Sequence, residues 1–187
     1  RTGIELNADG GLIGAADGWI SSTVHAPTSG IVRDIALHVQ PHPSGLSALS
    51  ILIDVDGKEE WIDRNPPDVA SLSPDDIRKL IQQAGIVGLG GAVFPTHGKL
   101  TPSAKFPMED LVINGGECEP FMTCDDMIMR ERAEGIVRGA AIFRDLMQPK
   151  RVMIGIEDNK PEAIASMRAA VKAVGEHFEV VPVPALY

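Results

Sequence analysis

The sequence predicts an α/β domain built on a parallel sheet, preceded by a small all-β domain. Three observations predict it. Up to about residue 65 the chain runs in short alternating stretches between Gly- and Pro-containing turns, the pattern of half-buried strands. Asn65-Pro66-Pro67 then interrupts regular structure, because paired prolines lack N–H donors and disfavour helix before them. Beyond that point apolar runs and helix-period stretches follow as strand–helix–strand–helix–strand, the order of βαβ units with right-handed crossovers. The predicted domain limits are therefore 1–65 and 66–187.

In the first region Leu49, Ile51, Ile53 and Val55 alternate with Ser50, Leu52 and Asp54, as a strand with one buried face requires. Asp56-Gly57 is a turn signal, and Glu59-Glu60-Trp61-Ile62 is a candidate return strand. His25-Ala26-Pro27-Thr28-Ser29-Gly30 makes another turn, leading into Ile31–Ile35. Together these suggest a small β-sandwich or barrel. Val24–Gly30 in this setting resembles the barrel-sandwich fold of biotinyl and lipoyl carriers. Such carriers present a turn lysine to their prosthetic group, but the first lysine here is Lys58. A docking or structural role is expected instead.

In the second region Ser73-Pro74-Asp75-Asp76 opens a helix: Ser as N-cap, Pro in the first turn, acids at the positive end of the helix dipole. Gly85 should end it. Leu111-Val112-Ile113 is a short buried strand. Thr123-Cys124-Asp125-Asp126 reads as a capping box opening one long helix over about 124–147, with Pro149 beyond its end. Val152–Ile156 is an apolar strand, Pro161 starts a helix to about Val174, and Phe178–Val183 is a final strand. Parallel sheets of this kind bind ligands beyond the carboxyl ends of their strands. The loop Asn114–Pro120 lies at such an end.

Composition narrows the function. The chain has 187 residues, with 44% hydrophobic and 23% charged residues, enough to bury a real core. Aromatics are only 4%, so that core must be aliphatic. Residues 1–65 hold 4 Lys/Arg against 9 Asp/Glu, and the remainder 13 against 17. Neither part offers the cationic face that nucleic acid requires. No apolar run reaches the roughly 18 residues of a membrane span. Cys118 and Cys124 are spaced neither as a zinc knuckle nor as a CxxC redox pair, and two thiols cannot hold an iron–sulfur cluster. They are expected to be free.

Two constellations can carry chemistry. The first is the glycine-rich run Gly85–Thr96 with Lys99 after it. Glycines let backbone N–H groups converge on an anion and let a planar ring approach the main chain. The run is not a dinucleotide fingerprint, since Gly88-x-Gly90 is followed by Val93 rather than glycine and a helix, not a strand, precedes it. It also lacks the Gly-Lys-Ser/Thr ending of a P-loop. Lys99 is placed to reach a phosphate or ribose hydroxyl. The second is the acidic loop: Glu117 and Glu119, with Asn114 before them, can bind ribose hydroxyls, orient an amide, or act as acid and base. Either constellation taken alone also allows a purely structural reading. His38 and His42 are separated by Pro41 and have no third ligand, so no metal site is expected.

Gly85–Thr96 with Lys99-Leu100 resembles the glycine-rich FMN/NADH loop of the complex I NADH-binding flavoprotein subunit. It is more similar to that of a relative, the C subunit of the Rnf ion-translocating electron-transport complex. Ile113–Pro120, Thr123-x-Asp125-Asp126, Ile154–Pro161 and Val24–Gly30 resemble the same family, so the likeness covers nearly the whole chain.

The resemblance implies a Rossmann-like α/β domain carrying FMN and NADH, behind a barrel-sandwich domain. It implies the peripheral, NADH-side subunit of an enzyme complex on the cytoplasmic face of the bacterial inner membrane. That complex couples electron transfer between NADH and ferredoxin to ion transport, with the other Rnf membrane subunits as partners. NADH gives hydride to the flavin, and single electrons pass to 4Fe–4S clusters. By matching positions, Gly88, Gly90, Gly91 and Lys99 would contact flavin and phosphate. Asn114 would hydrogen-bond the flavin, Phe94 would pack near the nucleotide, and Glu117 and Glu119 would border the nicotinamide. Against the complex I pattern, Val93 stands for a loop glycine and Gly116 for an aspartate. The family continues past Tyr187 into a second glycine-rich loop and the cluster cysteines, so weak flavin retention and no activity are expected of these residues alone. Two other readings remain open: a non-catalytic docking module, and the A subunit of the Na⁺-translocating NADH:quinone reductase. The Gly-Gly-Ala-x-Phe-Pro-Thr run argues against the latter.

Overall fold

The structure is a computed structural model. It describes residues 4–6 (backbone only), 11–89, 92–101, 107–117 and 121–185. The chain divides into two compact units, Arg1–Lys99 and Leu100–Tyr187.

The first unit opens with β1 (Ile4–Leu6), β2 (Leu12–Gly14), β3 (Val24–His25), β4 (Gly30–Val39) and β5 (Ser47–Val55). β2 pairs with β3, and a second sheet has the order β1-β4-β5, antiparallel throughout. The alternation read at Leu49–Val55 belongs to β5, whose partner is β4. A register shift between Val32 and Asp34 keeps Val32, Ile35 and Leu37 opposite Ile53, Ile51 and Leu49 on one face. That face closes a small core around Ala26 and Val32 with Ile13, Ile51 and Ile53. It continues outward as the exposed side chains of Ile35, Leu37, Val39 and Leu49.

The return strand expected at Glu59–Ile62 is reduced to a single bridge residue, Trp61. The Asp56-Gly57 turn is there, but the Asp56 carboxylate accepts from the Ser29 hydroxyl (2.7 Å) and the Lys58 N–H (2.9 Å). Glu59 then takes a left-handed φ of 52°, which no strand continues. An exposed stretch leads past a 3-10 turn (Val69–Ser71) to α1 (Pro74–Gln83). Ser73 caps α1 as predicted, its hydroxyl accepting from the Asp76 N–H at 3.2 Å. α1 ends in a Schellman motif: Gly85 N–H to Gln82 C=O, Ile86 N–H to Ile81 C=O, with Gly85 at φ 70°. The glycine-rich run follows, then the single-turn helix α2 (Thr96–Lys99).

The second unit is β6 (Asp110–Gly115), α3 (Cys124–Glu131), α4 (Ala133–Met147), β7 (Arg151–Glu157), α5 (Pro161–Val174) and β8 (Glu179–Val183). The strands form a three-stranded parallel sheet in the order β6-β7-β8. Val152, Ile154 and Ile156 of β7 pack against Met129, Val137, Ala163, Ile164 and Met167 from the three helices, with Leu111 and Ile113 of β6 joining them. On the other face of β6, Val112 and Asn114 are exposed. The strands thus read as alternating rather than uniformly buried, as expected of a sheet packed on one face.

The single helix predicted over 124–147 is two helices. Arg132, at φ −127° and ψ 25°, breaks it, and α4 restarts at Ala133. The capping box predicted at Thr123 is also absent, since the Thr123 side chain makes no capping bond. The carboxylate of Glu117, from the loop before the helix, takes its place, as described below. Among the described residues no helix is long and apolar enough to cross a membrane.

Candidate functional site

The glycine-rich run is a closed loop within the first unit. Gly88 N–H donates to Phe94 C=O at 2.9 Å and Thr96 N–H to Ile86 C=O at 3.1 Å, around a bridge between Val87 and Pro95. These bonds tie the two ends of the loop together, so its position follows from that of α1 and α2. Gly90 and Gly91, two of the predicted flavin contacts, lie outside the described residues. Gly88, Phe94 and Lys99 come together. A Cβ added at Gly88 would lie 3.5 Å from Lys99 Nζ and 3.7 Å from Phe94 C=O, and Nζ sits 5.9 Å from the Phe94 ring centre. Lys99 is exposed and has no carboxylate partner among the described residues. Phe94 is half-buried. One cation, one position without a side chain and one aromatic face therefore share a small region, a combination suited to a phosphate-bearing planar ligand. Val93 has φ 51°, a left-handed conformation rare for a β-branched residue, at the position where the complex I pattern has glycine.

A cavity of about 550 Å³ adjoins this loop, between Ile20–His25 on one side and Gly85, Val87 and Ala92–Pro95 on the other. That is within the size range of ligand pockets. Local sequence reasoning missed this wall, because some sixty residues separate its two sides along the chain. His97 is buried, and its Nε2–H donates to Trp19 C=O at 2.9 Å.

In the second unit, Asn114 and Glu117 sit at the carboxyl end of β6. Asn114 is exposed, and its side-chain oxygen accepts from Gly116 N–H at 3.0 Å, shaping the loop. Glu117 does the capping that Thr123 was expected to do. Its carboxylate accepts from the N–H groups of Asp125 and Asp126, both at 3.2 Å, and from the Cys124 thiol at 3.2 Å. Partial burial pushes the Glu117 carboxyl up. The two N–H groups, the thiol and the charge of Lys160 outweigh that and hold it below the usual glutamate range. The same contact raises the Cys124 thiol, as a thiolate would face a carboxylate. Glu117, Cys124 and Asp125 bring ligand atoms within 4.8 Å of one another, though both Glu117 oxygens already serve the helix N-terminus. Cys118 and Glu119 lie outside the described residues.

Comparison with known proteins places these features in a family. Residues 81–187 match the Nuo51 FMN-binding domain, and residues 6–58 match the RnfC barrel sandwich hybrid domain. The chain belongs to the RnfC family. Among its curated relatives is the C subunit of the ion-translocating oxidoreductase complex of Haemophilus influenzae (strain 86-028NP). It is 49% identical over 168 residues, covering 89% of this chain and 25% of the relative. The same protein from Pasteurella multocida (strain Pm70) is 43% identical, covering 91% of this chain and 20% of the relative. That from Pectobacterium carotovorum subsp. carotovorum (strain PC1) is 50% identical, covering 85% and 21%. The chain thus spans about a quarter or less of the length of these relatives. The all-β region expected at the N-terminus carries the RnfC barrel-sandwich match, and the region around the glycine loop and the parallel sheet carries the FMN-binding match. The carrier and quinone-reductase readings find no support among these relatives.

Proposed function

We propose that this chain is part of the NADH-side subunit of a membrane-associated, ion-translocating oxidoreductase complex, with its glycine loop forming one wall of an FMN/NADH site. The observation that carries the reading is the meeting of Gly88, Phe94 and Lys99 inside the segment matched to the FMN-binding domain. In this reading residues 1–65 are the barrel-sandwich domain and 66–187 a Rossmann-like domain. The subunit is peripheral on the cytoplasmic face of the membrane, with other Rnf subunits and NADH as partners and ferredoxin as an indirect one, electrons passing between NADH and ferredoxin.

The residues present fit an anionic flavin nucleotide. Lys99 supplies a charge to its phosphate, and Gly88 leaves room for the ammonium to approach. Phe94 offers an apolar face that excludes water. Gly90 and Gly91 complete the loop, Asn114 supplies a polar group, and Glu117 and Glu119 border the nicotinamide side. Glu117 acts there through position, since its oxygens hold the start of α3. The flavin, when bound, supplies the conversion of a two-electron donor to one-electron steps, and the chain's residues hold and orient it.

The test is an absorbance titration of the complete polypeptide with NADH, following the flavin band. Bleaching on NADH addition is expected. Lys99→Met should raise the FMN Kd about tenfold, the loss of one charge-assisted phosphate contact. Gly91→Trp and Glu119→Ala should impair bleaching. A complete polypeptide that binds no flavin overturns the reading, and unchanged bleaching in all three variants overturns the residue assignments.

A further inference from the structure

The segment Trp19–His25 lies in the region matched to the barrel-sandwich domain, while α1, the glycine loop and α2 lie at or beside the start of the FMN-binding match. In the structure they belong to one compact unit. The last carbonyls of a helix have no intrahelical donor and must find one elsewhere. At the end of α1, where Gly85 N–H already donates to Gln82 C=O, Thr23 adds a side-chain donor. Its hydroxyl lies 3.0 Å from Gln82 C=O and 2.6 Å from Gln83 C=O, immediately before the loop begins. At the other end of the loop, His97 of α2 donates to Trp19 C=O. Between these two bonds the Trp19–His25 segment presses on the loop's first residue, since a Cβ on Gly85 would stand 2.8 Å from Thr23 C=O and 3.2 Å from His25 Nδ1. The Trp19 ring lies 3.6 Å from the corresponding point on Gly98, where the Phe94 ring also packs at 3.2 Å.

From this double attachment we infer that Thr23 and His97 are positioning residues of the glycine loop, and that the N-terminal β region is the scaffold against which the cofactor site is set. The inference rests on the flavin reading for its functional consequence. Thr23 holds the entrance of the loop and His97 its exit. Both ends then keep a fixed spacing, and Gly88, Phe94 and Lys99 stay together. The Trp19–His25 segment also supplies one wall of the cavity beside the loop. A region that serves only for docking elsewhere would have no reason to hold the loop at both ends.

The experiment compares Thr23→Val, Thr23→Ser and Val32→Ala in the complete polypeptide. Val32 is buried in the small β core and touches neither end of the loop, so Val32→Ala controls for general loss of stability. Two quantities are read: FMN affinity, and amide hydrogen exchange over residues 86–99. Thr23→Val should weaken FMN binding about fivefold and speed exchange at Gly88 and Thr96. Thr23→Ser, which keeps the hydroxyl, should restore both. Val32→Ala should lower the melting temperature while leaving FMN affinity within about twofold of the parent. Equal affinity and equal exchange in Thr23→Val and the parent would overturn the inference, as would equal losses in Thr23→Val and Val32→Ala. If the parent binds no FMN, the flavin reading fails, and the exchange measurement still decides whether Thr23 holds the loop.

Discussion

Gly85→Ala tests how the glycine loop is attached. Gly85 meets two constraints. Its φ of 70° lies in the left-handed region, which costs an L-residue about 1–2 kcal/mol. A methyl group there would stand 2.8 Å from Thr23 C=O, closer than real Cβ atoms come, and the obstacle is backbone. Relieving such a contact costs about 1–3 kcal/mol by analogy with overpacked cores. Against these, alanine stiffens the unfolded chain and returns about 0.4–1 kcal/mol. The net expectation is a loss of about 1–5 kcal/mol, centred near about 3 kcal/mol. Urea unfolding followed by tryptophan fluorescence measures it. In a Trp61→Phe background Trp19 is the sole tryptophan, and it packs beside Gly98 in the same attachment. Gly88→Ala is the comparison, because its added methyl has 3.5 Å to the flexible end of Lys99 and no left-handed φ. It should cost under about 1 kcal/mol. A loss below about 0.5 kcal/mol for Gly85→Ala would refute the close approach of Thr23 to the start of the loop.

Three further outcomes follow from the same geometry. Ser73→Ala removes the side-chain cap of α1 and should cost about 1 kcal/mol in urea unfolding, with Ser73→Asp largely neutral. Glu117→Gln should destabilise the second unit by about 1 kcal/mol at neutral pH, because the charged cap at the α3 dipole is lost. The Glu117 carboxyl is held below its unfolded value, so its stabilisation is complete above the ordinary glutamate range and disappears as pH falls through the lowered folded value. Parent and Glu117→Gln stabilities should therefore converge in acid, and a constant difference down to strongly acidic pH would contradict the assignment. In a Cys118→Ser background, Cys124 should react with iodoacetamide more slowly at neutral pH than a free cysteine, since Glu117 raises its thiol. Glu117→Ala should accelerate it.

Much of the fold was legible locally. Ser73-Pro74-Asp75-Asp76 starts α1 and Gly85 ends it because capping depends on neighbours within one turn. The β5 alternation was visible because burial on one face imposes a period of two, and the strands of the parallel sheet because they are short apolar runs between turn signals. The failures have separate causes. Glu59–Ile62 looked like a return strand, but Asp56 bonds to Ser29, twenty-seven positions earlier. Thr123 looked like a cap, but Glu117 occupies the helix start from a loop at the end of β6. Unbroken helical periodicity hid the break at Arg132, since two helices in near register show the same apolar spacing.

The candidate site divides in the same way. The glycines of 85–91, Phe94, Lys99, Asn114, Glu117 and Glu119 stood out because backbone access and charge are properties of residue type, and their order along the chain pointed to the family that comparison then returned. Residue type says nothing of which carbonyl a hydroxyl will meet. That Thr23 closes the end of α1 and that His97 is buried against Trp19 are results of packing between segments far apart in the chain. Loop closure over such separations is set by the free energy of the whole unit rather than by local preference. Composition and local pattern therefore identified the chemistry available to the chain, and the folded core determined which of those groups can act together.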